Sequence, residues 1–217
     1  MSSELTPQRP MFLSRERWES LWQQLGGIAP DGSFDHLCAR YAEPHRHYHN
    51  AGHILATLEH FDRLKGLAES PALVEYALWM HDAIYDTRSA SNEAQSAHLA
   101  EHFLLSAGFD NLAPAVVKFI MATTHTAPSE ADDAGLVVDI DLSVLALPAV
   151  DYEAYAGSVR KEYHWVPEPE FRAGRRRVLE SLLAMPTLYV HPANIAAWES
   201  RARTNLESEL ARVSSTD

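Results

Sequence analysis

The chain has 217 residues, 46% hydrophobic and 22% charged, with a formal net charge of −12 when histidines are neutral. That length supports one domain with a real core, burying on the order of 70% of the surface its unfolded chain exposes. The acidic balance argues against a long nucleic acid as partner, since such affinity comes mainly from lysines and arginines displacing counterions, and a single cysteine, Cys38, excludes an internal disulfide.

No apolar run reaches the ~18 residues of a membrane span, and Met1 to Arg17 carries no apolar segment of a secretory signal. A soluble, cytoplasmic protein with no membrane partner is therefore expected. Nothing is Gly/Ser-rich and no repeat is visible. The expected organisation is a helical domain over 14–213, with an N-terminal extension at 1–13 and a tail at 214–217.

Nearly every segment reads as helix. Over 14–25, Trp18, Leu21, Trp22 and Leu25 share one face, and Gly26-Gly27 is the stop. A short helix over 33–41 ends before Pro44. The next, over 49–65, carries Ile54, Leu58, Phe61 and Leu64 as its buried stripe. Pro71 sits in the first turn of a helix reaching His81. Ser91 or Asn92 caps another that ends at Gly108. Further helices are expected over 112–123, 136–145, 152–163, 170–183 and 193–212. The run 135–140 could be a strand, but an all-α fold without a sheet is the economical reading.

Three pieces carry the chemistry: His45-Arg46-His47-Tyr48-His49-Asn50-Ala51-Gly52-His53, then His81-Asp82, then Asp139-Ile140-Asp141. Imidazole and carboxylate oxygen bind moderately hard divalent cations. The His81-Asp82 pair closes a very apolar helix, where a carboxylate is costly unless paired or on a metal. Asp139 and Asp141 point apart, so at most one should be a ligand, and Asp141 is favoured. With His53, His81, Asp82 and Asp141 as ligands, an octahedral ion keeps two open positions. One divalent ion is expected: Mn, Fe, Co, Ni or Mg rather than structural Zn.

These pieces resemble the HD superfamily of metal-dependent phosphohydrolases, whose signature is a His, a His-Asp pair and a later Asp on helices. The similarity is greater to its bacterial subfamily of predicted phosphohydrolases. It runs through Glu43-Pro44-His45-Arg46-His47-Tyr48-His49-Asn50 with His53, His81-Asp82 with Tyr85-Asp86, Asn92-Glu93, Asp141-Leu142, Tyr163, Gly174-Arg175, Tyr189, Ala202-Arg203 and Asn205-Leu206. The resemblance implies an α-helical bundle of the HD type. It places the signature on His53, His81, Asp82 and Asp141, and implies a substrate that is a nucleotide or another small phosphate ester. Several such hydrolases carry a Glu three residues after the paired Asp, where this chain has Tyr85. The superfamily also holds two-metal oxygenases, so a di-iron oxygenase is one alternative. That alternative needs His125 or another histidine as an extra ligand. A metal- or nucleotide-binding sensor without catalysis is another.

Asp86 and Glu93 are the candidate general acids or bases, with Glu93 equally readable as a first-turn acid facing the helix dipole. His125 is either a phosphate contact or extra ligand, or a helix-end histidine. His49 lies one turn before His53 and could touch substrate. Arg46, Arg160 and Arg175 are candidate phosphate clamps, while Arg176 and Arg177 read as a solvated face. His98 and His102 read as solvated, and Trp79 as core. Exposed tryptophans near the N-terminus would support a homodimer.

Overall fold

The computed structural model describes residues 12–125 and 130–215. Residues 1–11, with most of the extension over 1–13 and of the segment read for a secretory signal, lie outside the described residues, as do 216 and 217. The described chain is an all-α helical bundle: α1 (Arg15–Leu25), α2 (Ser33–Tyr41), α3 (Ala51–Leu64), α4 (Pro71–Met80), α5 (Asn92–Ser106), α6 (Ala113–Ala122), α7 (Asp133–Asp141), α8 (Ala149–Glu162), α9 (Glu168–Ala184) and α10 (Pro192–Ser214). No described helix is long and apolar enough to cross a membrane.

The helix ends follow local chemistry. Ser14 caps α1 by accepting from the backbone N–H of Arg17. Gly26 ends α1 at φ 101°, a left-handed backbone that favours glycine, and the N–H groups of Gly26 and Gly27 close back on Gln23 and Trp22. Asn50 caps α3 by accepting from Gly52. It therefore starts α3 two residues later than the pattern suggests, with His49 in the preceding loop.

Helix α4 is apolar apart from Glu75, which pairs with Arg17, and its residues from Val74 to Met80 are buried. Such a helix belongs at the centre of a core. It packs against α1, α3, α5, α6 and α7. Trp18 and Trp22 from α1 lie on Tyr76, with ring centroids 5.7 and 5.5 Å away. Both tryptophans are fully buried. The expected tryptophan surface for a homodimer is therefore absent: α1 spends that face on α4, where aromatic packing is worth most.

The ambiguous run over 135–140 is helical, in α7. It is apolar throughout because it is buried on all sides, not because it is a strand. It also ends earlier than the expected 136–145 helix. After Asp141 the backbone tightens into a 3-10 turn, Leu142–Ala146. A second core cluster forms there, with Leu142, Leu145, Tyr152, Leu179, Tyr189 and Leu206. Helix α7 joins the two cores: Ile140 packs in the first and Val138 in the second. Asp141 thus stands on the seam between them.

Candidate metal centre

The three separated sequence pieces meet at that seam. His53 comes from the first turn of α3, His81 and Asp82 follow the last turn of α4, and Asp141 ends α7. His53 Nε2 lies 3.1 Å from His81 Nε2. Asp82 Oδ2 is 3.4 Å from His53 Nε2 and 3.2 Å from His81 Nε2. Asp141 Oδ1 is 3.3 and 3.4 Å from the same two nitrogens. Ligand atoms about 2.1 Å from a common divalent ion, in neighbouring positions, are about 3.0 to 3.4 Å apart. The observed separations match that spacing.

His53, His81 and Asp82 form a group that could hold a metal ion, and Asp141 presents an oxygen to the same atoms. The donor set of two imidazoles and two carboxylates suits a moderately hard divalent cation. His81 Nδ1 lies 3.0 Å from the carbonyl oxygen of Leu78. Donation there leaves the Nε2 lone pair turned toward the cluster, as a ligating histidine requires.

The electrostatics agree. Burial alone would raise the Asp82 carboxyl, but His81, then His49 and His53, hold it well below the usual carboxylate range. Burial is likewise outweighed at Asp141 by His125, His53 and His81, and that carboxyl too is held well down. Burial disfavours a charged imidazole at His53 and His81, yet the two aspartates raise both. Two ionised carboxylates beside two proton-hungry imidazoles make a cation-seeking pocket, for which protons and a metal compete.

Asp139 behaves differently. It is fully buried and accepts from the backbone N–H groups of Val190 and His191 and from Asn194 Nδ2, at 2.8, 3.0 and 2.8 Å. It holds the segment before α10 against α7. Of the two aspartates, Asp141 presents an oxygen to the cluster and Asp139 is turned to the backbone before α10.

The remaining sequence candidates separate. His125 sits with its Nε2 3.2 Å from Asp141 Oδ2, on a residue with φ 52°. A positive φ outside glycine is a strained backbone, common where a side chain must be aimed. Its neighbour Thr126 lies outside the described residues. Glu93 and His49 line the same cavity as Asp82 and Asp141. Asp86 does not. It is exposed and its carboxylate accepts from the backbone of Arg88, so it shapes the turn before α5.

The arginines also divide. Arg46 is buried, and its guanidinium reaches Glu43 and the carbonyls of His49, Asp82 and Ala83, at 2.9, 3.0, 2.6 and 3.0 Å. It straps the loop before α3 to the turn after α4, rather than facing the cavity. Arg160 pairs with Glu168 and with the carbonyls of Tyr163 and Val166, away from the cavity. Both arginines are consumed by backbone oxygens that no helix satisfies. Arg175 does line the cavity, in a bidentate pair with Glu209 at 2.7 and 2.9 Å.

One residue escaped sequence reasoning. Glu162, buried at the end of α8, accepts through Oε1 from the backbone N–H groups of His47, Tyr48 and His49, at 2.8, 2.7 and 2.9 Å. Its Oε2 takes His49 Nδ1 at 2.8 Å and the Tyr85 hydroxyl at 3.0 Å. Burial opposes its charge, but these donors, His49 first, lower its pKa to about 2. The His49 ring is stacked on Tyr85, with centroids 4.1 Å apart. The available signal was the position of Glu162 on the buried stripe of α8, with Tyr152 and Val159.

Set beside known proteins, the chain matches no family model, no curated protein and no solved structure.

Proposed function

We propose that this chain is a metal-dependent phosphohydrolase of the HD superfamily. Its expected substrate is a phosphate ester of a small metabolite, a nucleotide or a similar molecule. The observation that carries the reading is the approach of an Asp82 oxygen and an Asp141 oxygen to within 3.2–3.4 Å of His53 Nε2 and His81 Nε2, which are themselves 3.1 Å apart. When bound there, a divalent ion supplies Lewis acidity to a water and to a phosphoryl oxygen.

The surrounding residues have separable tasks. Glu162 accepts a hydrogen bond from His49 Nδ1–H, so His49 keeps Nε2 to accept or return a proton in the cavity. Glu93 is the carboxylate at the same wall. Arg46 ties the His49 carbonyl to the carbonyls of Asp82 and Ala83, fixing the backbone at the Asp82 ligand.

The test is elemental analysis of the purified protein, followed by a panel of nucleotides and simple phosphate esters with the metal-reconstituted enzyme. About one divalent ion per chain is expected, together with phosphate release. Asp82→Ala should lose the ion. Full occupancy in that variant rules out this ligand set, and a loaded protein that releases no phosphate from any ester rules out the hydrolase. The position of His125 against Asp141 favours one competing reading, a two-metal oxygenase. Two irons per chain with substrate-dependent oxygen uptake would establish it instead.

A further inference from the structure

The cluster of candidate ligands opens, through Asp82 and Asp141, into a cavity of about 480 Å³. Its charged wall is acidic: Asp82, Asp141 and Glu93 line it, and Arg175 is the one lysine or arginine among the described lining residues. That arginine is already neutralised by Glu209, which also accepts from the Tyr152 hydroxyl. A divalent ion balanced by two ligand carboxylates leaves no surplus positive charge.

Di- and triphosphates carry three to four negative charges, and sites built for them supply several lysines, arginines or helix N-termini. Among the described lining residues this cavity supplies only Arg175, already paired with Glu209, and the imidazoles of His49 and His125. Its other wall is apolar: Leu142, Val144 and Leu145 follow directly on Asp141, and Val178, Leu182 and Met185 come from α9 and its end. Apolar area of that kind is useful only to a ligand with an uncharged body.

Resting on the phosphohydrolase reading, we infer that the substrate is an ester carrying a single phosphate group on a largely apolar alcohol, and not a nucleoside di- or triphosphate.

The test uses the full chain loaded with manganese, with free manganese saturating in every arm. Binding of methylphosphonate, phenylphosphonate and a methylene-bridged adenosine triphosphate analogue is measured by calorimetry. Phenylphosphonate should bind at least about tenfold more tightly than methylphosphonate, because its ring is removed from water against the apolar wall. The triphosphate should bind most weakly. Val178 is 49% exposed, so Val178→Lys should fold, which a thermal melt checks. That variant should cut the phenyl-to-methyl ratio at least about threefold. Equal binding of the two phosphonates, an unchanged ratio in the variant, or tightest binding of the triphosphate overturns the inference while the hydrolase stands. Loaded protein that binds neither phosphonate overturns the phosphate reading itself, and this inference with it.

Discussion

Replacing Glu162 by Gln tests whether one buried carboxylate organises the loop that carries His49. Glu162 accepts three backbone N–H groups through one oxygen, and an imidazole and a phenol through the other. An amide can keep the first set but turns an N–H₂ toward the second, so the His49 imidazole and the Tyr85 hydroxyl lose their anionic acceptor. A fall in pKa from 4.5 to about 2 corresponds to about 3 kcal/mol, at roughly 1.4 kcal/mol per pH unit. Discounting for partial solvent screening leaves about 2 kcal/mol. The sign follows from linkage. A carboxyl whose folded pKa is depressed contributes fully above about pH 4.5, and its contribution drains away as the pH falls toward 2. Urea denaturation of the metal-free protein at a series of pH values reads this directly. The wild type should exceed Glu162→Gln by about 2 kcal/mol at pH 7, and the gap should shrink steadily below about pH 4.5. A gap that is absent at pH 7, or constant down to pH 3, would refute the assignment of Glu162 as an ionised anchor.

Further predictions concern α7. Asp139→Ala should destabilise the fold by about 3 kcal/mol, because three donors lose a buried acceptor. The folded fraction should still bind metal. Asp141→Ala should do the reverse, losing metal with a smaller loss of metal-free stability. Metal content and chemical denaturation measured on both variants decide the pair, and identical behaviour would show the two aspartates to be misassigned. Gly135→Ala should cost about 2 kcal/mol or more, since its Cβ would run into the carbonyl of Glu130 and the Val190 side chain. A melting temperature equal to wild type would mean that this packing relaxes freely.

Much of the fold was legible because helices announce themselves locally. The apolar spacing of α1 and α3, the Gly26 stop and the proline at the start of α4 are properties of neighbouring residues. The run over 135–140 was not legible as helix by periodicity, since a helix buried on every side has none to show. The length and closeness of the His-rich run, the His81-Asp82 pair and the Asp139-Ile140-Asp141 segment marked the candidate ligands. Glu162 gave almost no signal, because its donors lie 77 to 115 residues earlier in the chain.

The amino-acid order alone determined which side chains are able to hold a cation, because ligand chemistry belongs to the residue. Which arginine reaches the cavity was decided only by folding. Arg46 and Arg160 are the same guanidinium as Arg175, but the first two met stranded backbone carbonyls and the third met a cavity wall and Glu209. Folding also separated Asp139 from Asp141 and buried Trp18 and Trp22 against α4. A side chain's partner is set by what other helices bring to it, and no local pattern encodes that.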